Sequence, residues 1–412
     1  MYDKKDVAAP GVGYQELKLM QGYPPPQGKQ IGLHNWDSPP YNRWSFQHMS
    51  ELFPVASIRR GMAPVSELPQ ATHSLDEVCF ERVDSQQTDL ATFLTDSYTD
   101  GFIVLHRGEV VTERYFNGMQ PHTLHLLQSV SKTLVGSLVG ILIGQGKIDP
   151  DAKVSDYVTD LSGCGYGDAR VKDALNMRTG IQFSEDYTNP DAEYIQLDIA
   201  SGWRERGGRT SPDTIYGLLK TLKKGREHGG HFEYRSVETD VLGWICEQVC
   251  NERLPVLLSR EIWAKLGAEQ DANITLDRVG TSLADGGVSA SLRDLARFAQ
   301  MHLQGGIFNG QQIVPEAFIK ACRQGSSEHF KVLYSVFAEH YPKAAYSNQC
   351  WVIDTDKGVY SARGVFGQFI YVDPQSELAI VKLSTWPEFI NPEWSVNTYR
   401  AFDAIAQTLK SR

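Results

Sequence analysis

The chain has 412 residues, 41% of them hydrophobic and 10% aromatic, a composition that supports a sizeable core and excludes intrinsic disorder. Its formal net charge of −10, with 40 Lys and Arg against 50 Asp and Glu and no long basic run, excludes a basic nucleic-acid surface. No segment offers the roughly 18 uninterrupted apolar residues of a membrane span, and MYDKKDVAAPGVGYQEL lacks the apolar region of a secretion signal, so a soluble, cytoplasmic protein is expected.

Residues 1 to 65 are rich in Pro, Gly and aromatics (GYPPPQGKQ, NWDSPPYNRWSF) and are expected to form an extended arm over the body. From 101, GFIVLHRGEVVTERYF alternates β-branched and polar residues on either side of Arg107 and Gly108, the pattern of a hairpin. Helical periods dominate from about 118 to 345: residues 129 to 143, then VKDALNMRTG, the stretch Asp240 to Val249, and SLRDLARFAQMHLQGG, most of them closed by Gly or Pro. Strand patterns return in CWVID, QFIYVD and ELAIVKLS, and an amphipathic helix around EWSVNTYRAFDAIAQTLKS follows. The expected fold class is α+β: an antiparallel sheet built from 66–117 and 345–412 and flanked by terminal helices, with a helical lobe of 118–344 inserted and the site between the lobes. The six cysteines (Cys79, Cys164, Cys246, Cys250, Cys322, Cys350) are scattered and are expected to be buried thiols.

In LLQSVSKTLVGSLVG, Ser129 and Lys132 stand three apart at the start of an apolar helix. That spacing puts them on one face, where helix amides favour an oxyanion, and burial is expected to push the lysine toward the neutral amine of a general base. Alone, S-x-x-K arises about once or twice by chance in such a chain, and a polar first turn explains it equally. Ser131 points off the Lys132 face. FEYRSVETDVLGWICEQV places Tyr234 and Ser236 just before another helix, where a phenol relays a proton or Ser236 is a cap; the same Y-x-[SN] pattern recurs at Tyr115 and Tyr346. In SARGVFGQFIYVDP, small residues precede a strand whose backbone amide is a candidate oxyanion donor. G-x-S-x-G, H-E-x-x-H, C-x-x-C and a phosphate-binding G-x-x-x-x-G-K-[ST] are all missing from the sequence, and His122 with His125 read as a surface or core feature.

Taken in order, QSVSK, EYRS and ARGVFGQFIYVDP resemble the serine β-lactamase and penicillin-binding-protein superfamily. The nearest resemblance is to the class C-like branch that holds the 6-aminohexanoate-dimer hydrolases, carried also by SEDYTNPDAE, SGWR, WAKL and LADGGVSASLRDLAR. The resemblance implies Ser129 as acylated nucleophile, Lys132 as its base, Tyr234 as proton relay, and the backbone amides of Ser129 and Val365 as oxyanion hole. It further implies Tyr187 over the substrate, Asp198 facing an amine-bearing end, Trp351 lining the cleft, and Asp285 at a substrate-binding position where the relative carries another residue. Where β-lactamases carry the lysine of K-T-G this chain has Ala362, with Arg363 one position on, so β-lactams are expected to be poor substrates.

The activity implied is hydrolysis of a small linear amide or ester through an acyl-enzyme, with no metal and no cofactor. The alternatives are an acyltransferase using the same acyl-enzyme and a non-catalytic binding protein on the same fold. The expected partner is a small-molecule substrate, with no nucleic acid and no membrane; a homodimer is left open.

Overall fold

The computed structural model describes residues 7–187, 189 and 191–410; the first six residues of the expected arm, and Thr188 and Pro190 of SEDYTNPDAE, lie outside the described residues. The main sheet runs Ala345–Ser347, Cys350–Asp354, Val359–Gly364, Gln368–Asp373, Leu378–Ser384, Thr99–His106 and Glu109–Tyr115, with every neighbouring pair antiparallel. The predicted hairpin forms one edge. Arg107 and Gly108 both have positive φ, 53° and 84°, the two-residue turn whose twist matches that of its strands. Early and late parts of the chain meet inside the sheet, where Leu378–Ser384 pairs with Thr99–His106 from Leu378↔His106 to Ser384↔Thr99. Helices cover the sheet, which is why these strands are apolar almost throughout. The helix Leu292–Leu303 packs against both of them, while Pro392–Lys410 lays Tyr399 and Phe402 on Phe369 and Tyr371, with ring centroids 5.6 and 5.1 Å apart.

The helix Ser131–Gly144 is the centre of the helical lobe. It is buried on all sides from Ser131 to Leu142 and packs against Val237–Cys250, as its uninterrupted apolar character requires. A Cβ at Gly140 would lie 2.4 Å from the Phe318 ring, so only glycine allows this approach.

Two features differ from expectation. Within the helical lobe lies a second sheet, ordered Val55–Ile58, Ala272–Thr275, Val288–Ala290 and His125–Leu126; strands of two to four residues are too short to display alternation. The N-terminal segment, moreover, is no extended arm laid over a finished body. Trp36, Trp44, Phe46 and Met49 are buried in the core, Val55–Ile58 is a strand of the second sheet, and buried Arg43 donates to Asp100 of the main sheet (3.1 Å) and to Thr385, just past the strand Leu378–Ser384 (2.9 Å). Large aromatics next to Pro-rich turns gain too much from burial to remain on the surface.

The six cysteines are free. Cys246, Cys322 and Cys350 are buried, but Cys79 is exposed. Among the described residues, no helix is long and apolar enough to cross a membrane.

Candidate active site

Ser129 lies in a single 3-10 turn, Gln128–Val130, that leads directly into Ser131–Gly144. Residues three apart across this junction lie on one face, and Lys132 Nζ donates to Ser129 Oγ at 3.0 Å. Gln128 holds a left-handed φ of 49° just ahead of the serine, a conformation that costs about 1 kcal/mol or more and is characteristic of functional turns. Ser129 is partly exposed while its neighbours Gln128 and Val130 are buried. Ser131, as expected, faces elsewhere: it is fully buried and accepts the Val288 amide at 3.1 Å.

Lys132 is buried at the junction of both lobes. Besides Ser129 it donates to the Asp285 backbone carbonyl at 2.9 Å and lies 3.2 Å from the Asp285 carboxylate. This corrects the expectation of a neutral amine. Burial is the largest single influence and does pull the ammonium downward, but Tyr234, Asp285, Glu185 and Asp240 together outweigh it and raise Lys132 above the usual lysine value. Asp285 is thus first a partner of the lysine, although it also borders the cleft.

Tyr234 immediately precedes the helix Val237–Cys250, its ring centroid 5.2 Å from Lys132 Nζ. Burial raises its phenol above the ordinary value, opposed by the Lys132 charge and by hydrogen bonds with Ser129 and Lys132. The other two Y-x-[SN] tyrosines are accounted for elsewhere: Tyr115 bonds Glu113 in the edge strand, and Tyr346 is buried against Phe232 with its ring 6.1 Å from that of Tyr234. Ser236 does not cap its helix with its side chain; its hydroxyl donates to Glu185 at 2.8 Å and its amide to the same carboxylate at 2.6 Å.

Val365 follows the strand Val359–Gly364, in a three-residue turn closed by the Gly364↔Gln368 pair. The small residues SARG are therefore strand, not a loop before one. A Cβ on Gly364 would fall 2.6 Å from the Leu127 carbonyl oxygen, so glycine lets this strand end abut the Ser129 turn. Val365 and Ser129 border the same two cavities.

The larger of these, about 470 Å³, is walled by Trp351, Phe337, Phe369 and Phe389 and reaches Tyr187 and Tyr234. Tyr187 stacks on Phe389 at 5.6 Å and bonds Glu185, and Trp351 lies over Tyr234 at 5.3 Å. The smaller, about 50 Å³, is bordered by Asp37, Asp198, Asp285 and Trp203. There Asp198 is not free: Arg204 reaches one of its oxygens with Nε at 3.1 Å and Nη2 at 3.0 Å, and lies 3.9 Å from Asp37. Burial lifts the Asp198 carboxyl to about 7, against Arg204 and with help from Asp37.

Sequence reasoning missed Glu185, two positions before Tyr187, and Asp240. The Asp240 carboxylate accepts the amides of Ala284 (3.0 Å) and Asp285 (3.3 Å) and so orients the loop that carries Asp285. Acidic residues on a loop and inside a helix resemble solvated charge unless the fold is known.

A protein-family model described as Beta-lactamase matches residues 99–404. The chain belongs to the β-lactamase family. Within that family it is 37% identical to the 6-aminohexanoate-dimer hydrolase of Paenarthrobacter ureafaciens over 390 residues, covering 93% of this chain and 97% of the relative. The solved structure of a candidate 6-aminohexanoate-dimer hydrolase from Bacillus anthracis superposes with a TM-score of 0.85 at 28% identity, covering 94% of this chain and 99% of that one. A hydrolase with promiscuous acyltransferase activity, EstCE1, shares the fold at a TM-score of 0.59 and 18% identity, covering 77% of this chain and 98% of its own. Membership in the β-lactamase family, with a named hydrolase this similar over nearly its whole length, makes the protein a serine hydrolase.

Proposed function

We propose that the protein cleaves small linear amides and carboxylic esters through an acyl-enzyme on Ser129, with Lys132 and Tyr234 as a joint base and the amides of Ser129 and Val365 as oxyanion hole. The observation that carries this reading is the 3.0 Å contact of Lys132 Nζ with Ser129 Oγ, in a cleft that Tyr234 also borders. Because its acidic neighbours keep the proton on Lys132, the pair gives up its proton from Tyr234; burial opposes this by raising the phenol, so the phenolate, held by the ammonium, is the minor form that acts. That phenolate accepts the Ser129 proton as Oγ adds to the carbonyl carbon. The oxyanion takes hydrogen bonds from two backbone amides. The bond to the leaving group then breaks, with Tyr234 returning the proton to the departing nitrogen or oxygen. Water adds to the acyl-enzyme, passes its proton to the same pair, and frees the acid and Ser129.

The relatives named for the 6-aminohexanoate dimer support an acyl part that ends in an ammonium. Asp37, Asp198 and Arg204 border or adjoin the small cavity with two carboxyls against one guanidinium, which leaves an acidic excess for such a group once Asp198, lifted to about 7, has ionised.

The test is a fluorophosphonate probe with intact-protein mass spectrometry, beside turnover of 6-aminohexanoyl amides and p-nitrophenyl esters. A single adduct on the Ser129 peptide is expected, lost together with turnover in Ser129→Ala; an adduct on Ser131, Ser236 or Ser289 would refute the assignment. Analysis of products with an added amine or alcohol separates hydrolysis from acyl transfer.

A further inference from the structure

The turn that carries Val365 joins the strands Val359–Gly364 and Gln368–Asp373. In an ordinary three-residue hairpin loop only the last residue is left-handed. Here both Phe366 and Gly367 are, with φ of 61° and 87°, and a bulky residue does not adopt that region unaided. The conformation is imposed by what surrounds it. A Cβ on Gly367 would stand 2.3 Å from the Trp386 ring, so the turn is pressed against that ring. The Phe366 amide donates to the Phe389 carbonyl at 2.9 Å, and the Phe366 carbonyl accepts the Trp386 amide at 3.1 Å. The Val365 amide has no protein acceptor among the described residues, which leaves it available to an oxyanion.

One side chain ties the rest of the turn to the sheet. Gln368 is fully buried. Its Nε2 donates to the carbonyls of Ser384 at 2.7 Å, Phe366 at 3.2 Å and Val365 at 3.3 Å, and its Oε1 accepts the Ser384 amide at 3.0 Å. The two bonds to Ser384 fasten the amide group to the neighbouring strand Leu378–Ser384; the longer, shared bonds reach back to the turn. The carbonyl that Gln368 holds and the amide left free belong to the same residue, Val365, so holding the one limits rotation of the other. Gln368 also belongs to the contact with the nucleophile turn: a Cβ on Gly364 would stand 3.1 Å from the Cβ of Gln368 and 3.1 Å from that of Gln128, the residue just ahead of Ser129.

We propose that Gln368 is the positioning residue of the oxyanion hole: it holds the Val365 turn in its left-handed conformation and so aims the Val365 amide at the oxygen that becomes negative. Gln368 borders neither cavity beside Ser129, so it acts on the transition state through Val365 and leaves substrate affinity alone. This inference rests on the oxyanion assignment above.

Two substrates test it, p-nitrophenyl hexanoate and its thionoester, in which sulfur replaces the carbonyl oxygen. Sulfur is a weak hydrogen-bond acceptor, so the thionoester gains little from the two amides. Normalised to cleavage by hydroxide in solution, the oxoester should lead in kcat/KM by about a hundredfold or more in the wild type, the effect of one oxyanion donor. Gln368→Met fills the same space without hydrogen bonds; since a misplacement of about 1 Å costs about a hundredfold, kcat for the oxoester should fall by about tenfold to a hundredfold with KM little changed. The thionoester should hardly respond, so the ratio falls with the oxoester. Gln368→Glu, which keeps the Oε1 acceptor and has at most one hydrogen to share among three carbonyls, should give an intermediate ratio and is the milder test of the fold. Both substrates report on the same folded molecules, so a loss of folded protein cancels in the ratio. A wild-type ratio near one would overturn the oxyanion assignment and the proposal with it. A high wild-type ratio that both variants leave unchanged, or that falls only through a raised KM, overturns the proposal and leaves the oxyanion assignment standing.

Discussion

Asp285→Asn keeps the shape of the side chain and the backbone carbonyl that accepts from Lys132 at 2.9 Å, and deletes only the negative charge 3.2 Å from the ammonium. At that separation and an effective dielectric near 20, the attraction is about 5 kcal/mol. That figure is an upper bound, because the amide dipole of asparagine replaces part of it and the Asp285 side chain is 11% exposed. Groups beside one opposite charge shift by about 1 to 3 units. The sign follows from the charges: the carboxylate stabilises the Lys132 ammonium and opposes a Tyr234 phenolate, so without it the pair releases its proton at lower pH. The limb of kcat/KM that rises with pH should therefore move toward acid by about 1 to 3 units. Below the wild-type limb, the variant should be faster by about tenfold per unit on a p-nitrophenyl ester, whose leaving group needs no proton. The assay is the pH profile of kcat/KM for that ester, wild type against Asp285→Asn, with thermal unfolding as a control on the fold. A limb that stays in place or moves toward alkali would show that Asp285 does not hold the proton on the pair.

Tyr234→Phe should reduce amide hydrolysis far more than aryl-ester hydrolysis, since only the amine has to be protonated to leave; equal losses in kcat on both would remove the leaving-group role. With the Asp198 carboxyl lifted to about 7, the preference for 6-aminohexanoyl over hexanoyl esters should grow as pH rises through about 7, where Asp198 becomes a carboxylate, and should flatten in Asp198→Asn; a pH-independent ratio in the wild type excludes Asp198 as the ammonium partner. Gly364→Ala sets a Cβ 2.6 Å from the Leu127 carbonyl and should separate Val365 from Ser129, lowering kcat by about a hundredfold to a thousandfold, as loss of one oxyanion donor does, with KM little changed. Buried Lys382, pulled by burial to about 7, destabilises the fold fully below that pH, and the penalty fades as pH rises toward the ordinary 10.5. Lys382→Met should thus raise Tm in acid and lose that gain in alkali; a Tm lowered at every pH would show that the bonds of Lys382 to Ser97 and Ser384 outweigh its desolvation.

Alternation and turn chemistry in GFIVLHRGEVVTERYF were enough to specify the edge hairpin, because strand period and the positive-φ turn at Arg107 and Gly108 are properties of adjacent residues. The same holds for Ser129 and Lys132: three positions apart, their contact is settled by one turn of backbone. The charge state of that lysine was decided by tertiary structure. Asp285 is 153 residues away in sequence, and it arrives because His125–Leu126, a strand too short to show a period, pairs with Val288–Ala290. Burial of the lysine was foreseeable from its apolar neighbours, and by itself it favours the neutral amine; the acidic residues that reverse the outcome come from three other segments of the chain. Arg363 follows the same rule. In the sequence SARG reads as small residues before a strand rather than as strand itself, and a cage assembled from Phe337, Trp351, Phe369 and Tyr399 exists only once the sheet and the helix Pro392–Lys410 have packed. Local geometry depends on neighbours in the chain, whereas protonation, pairing and cavity shape depend on neighbours in space.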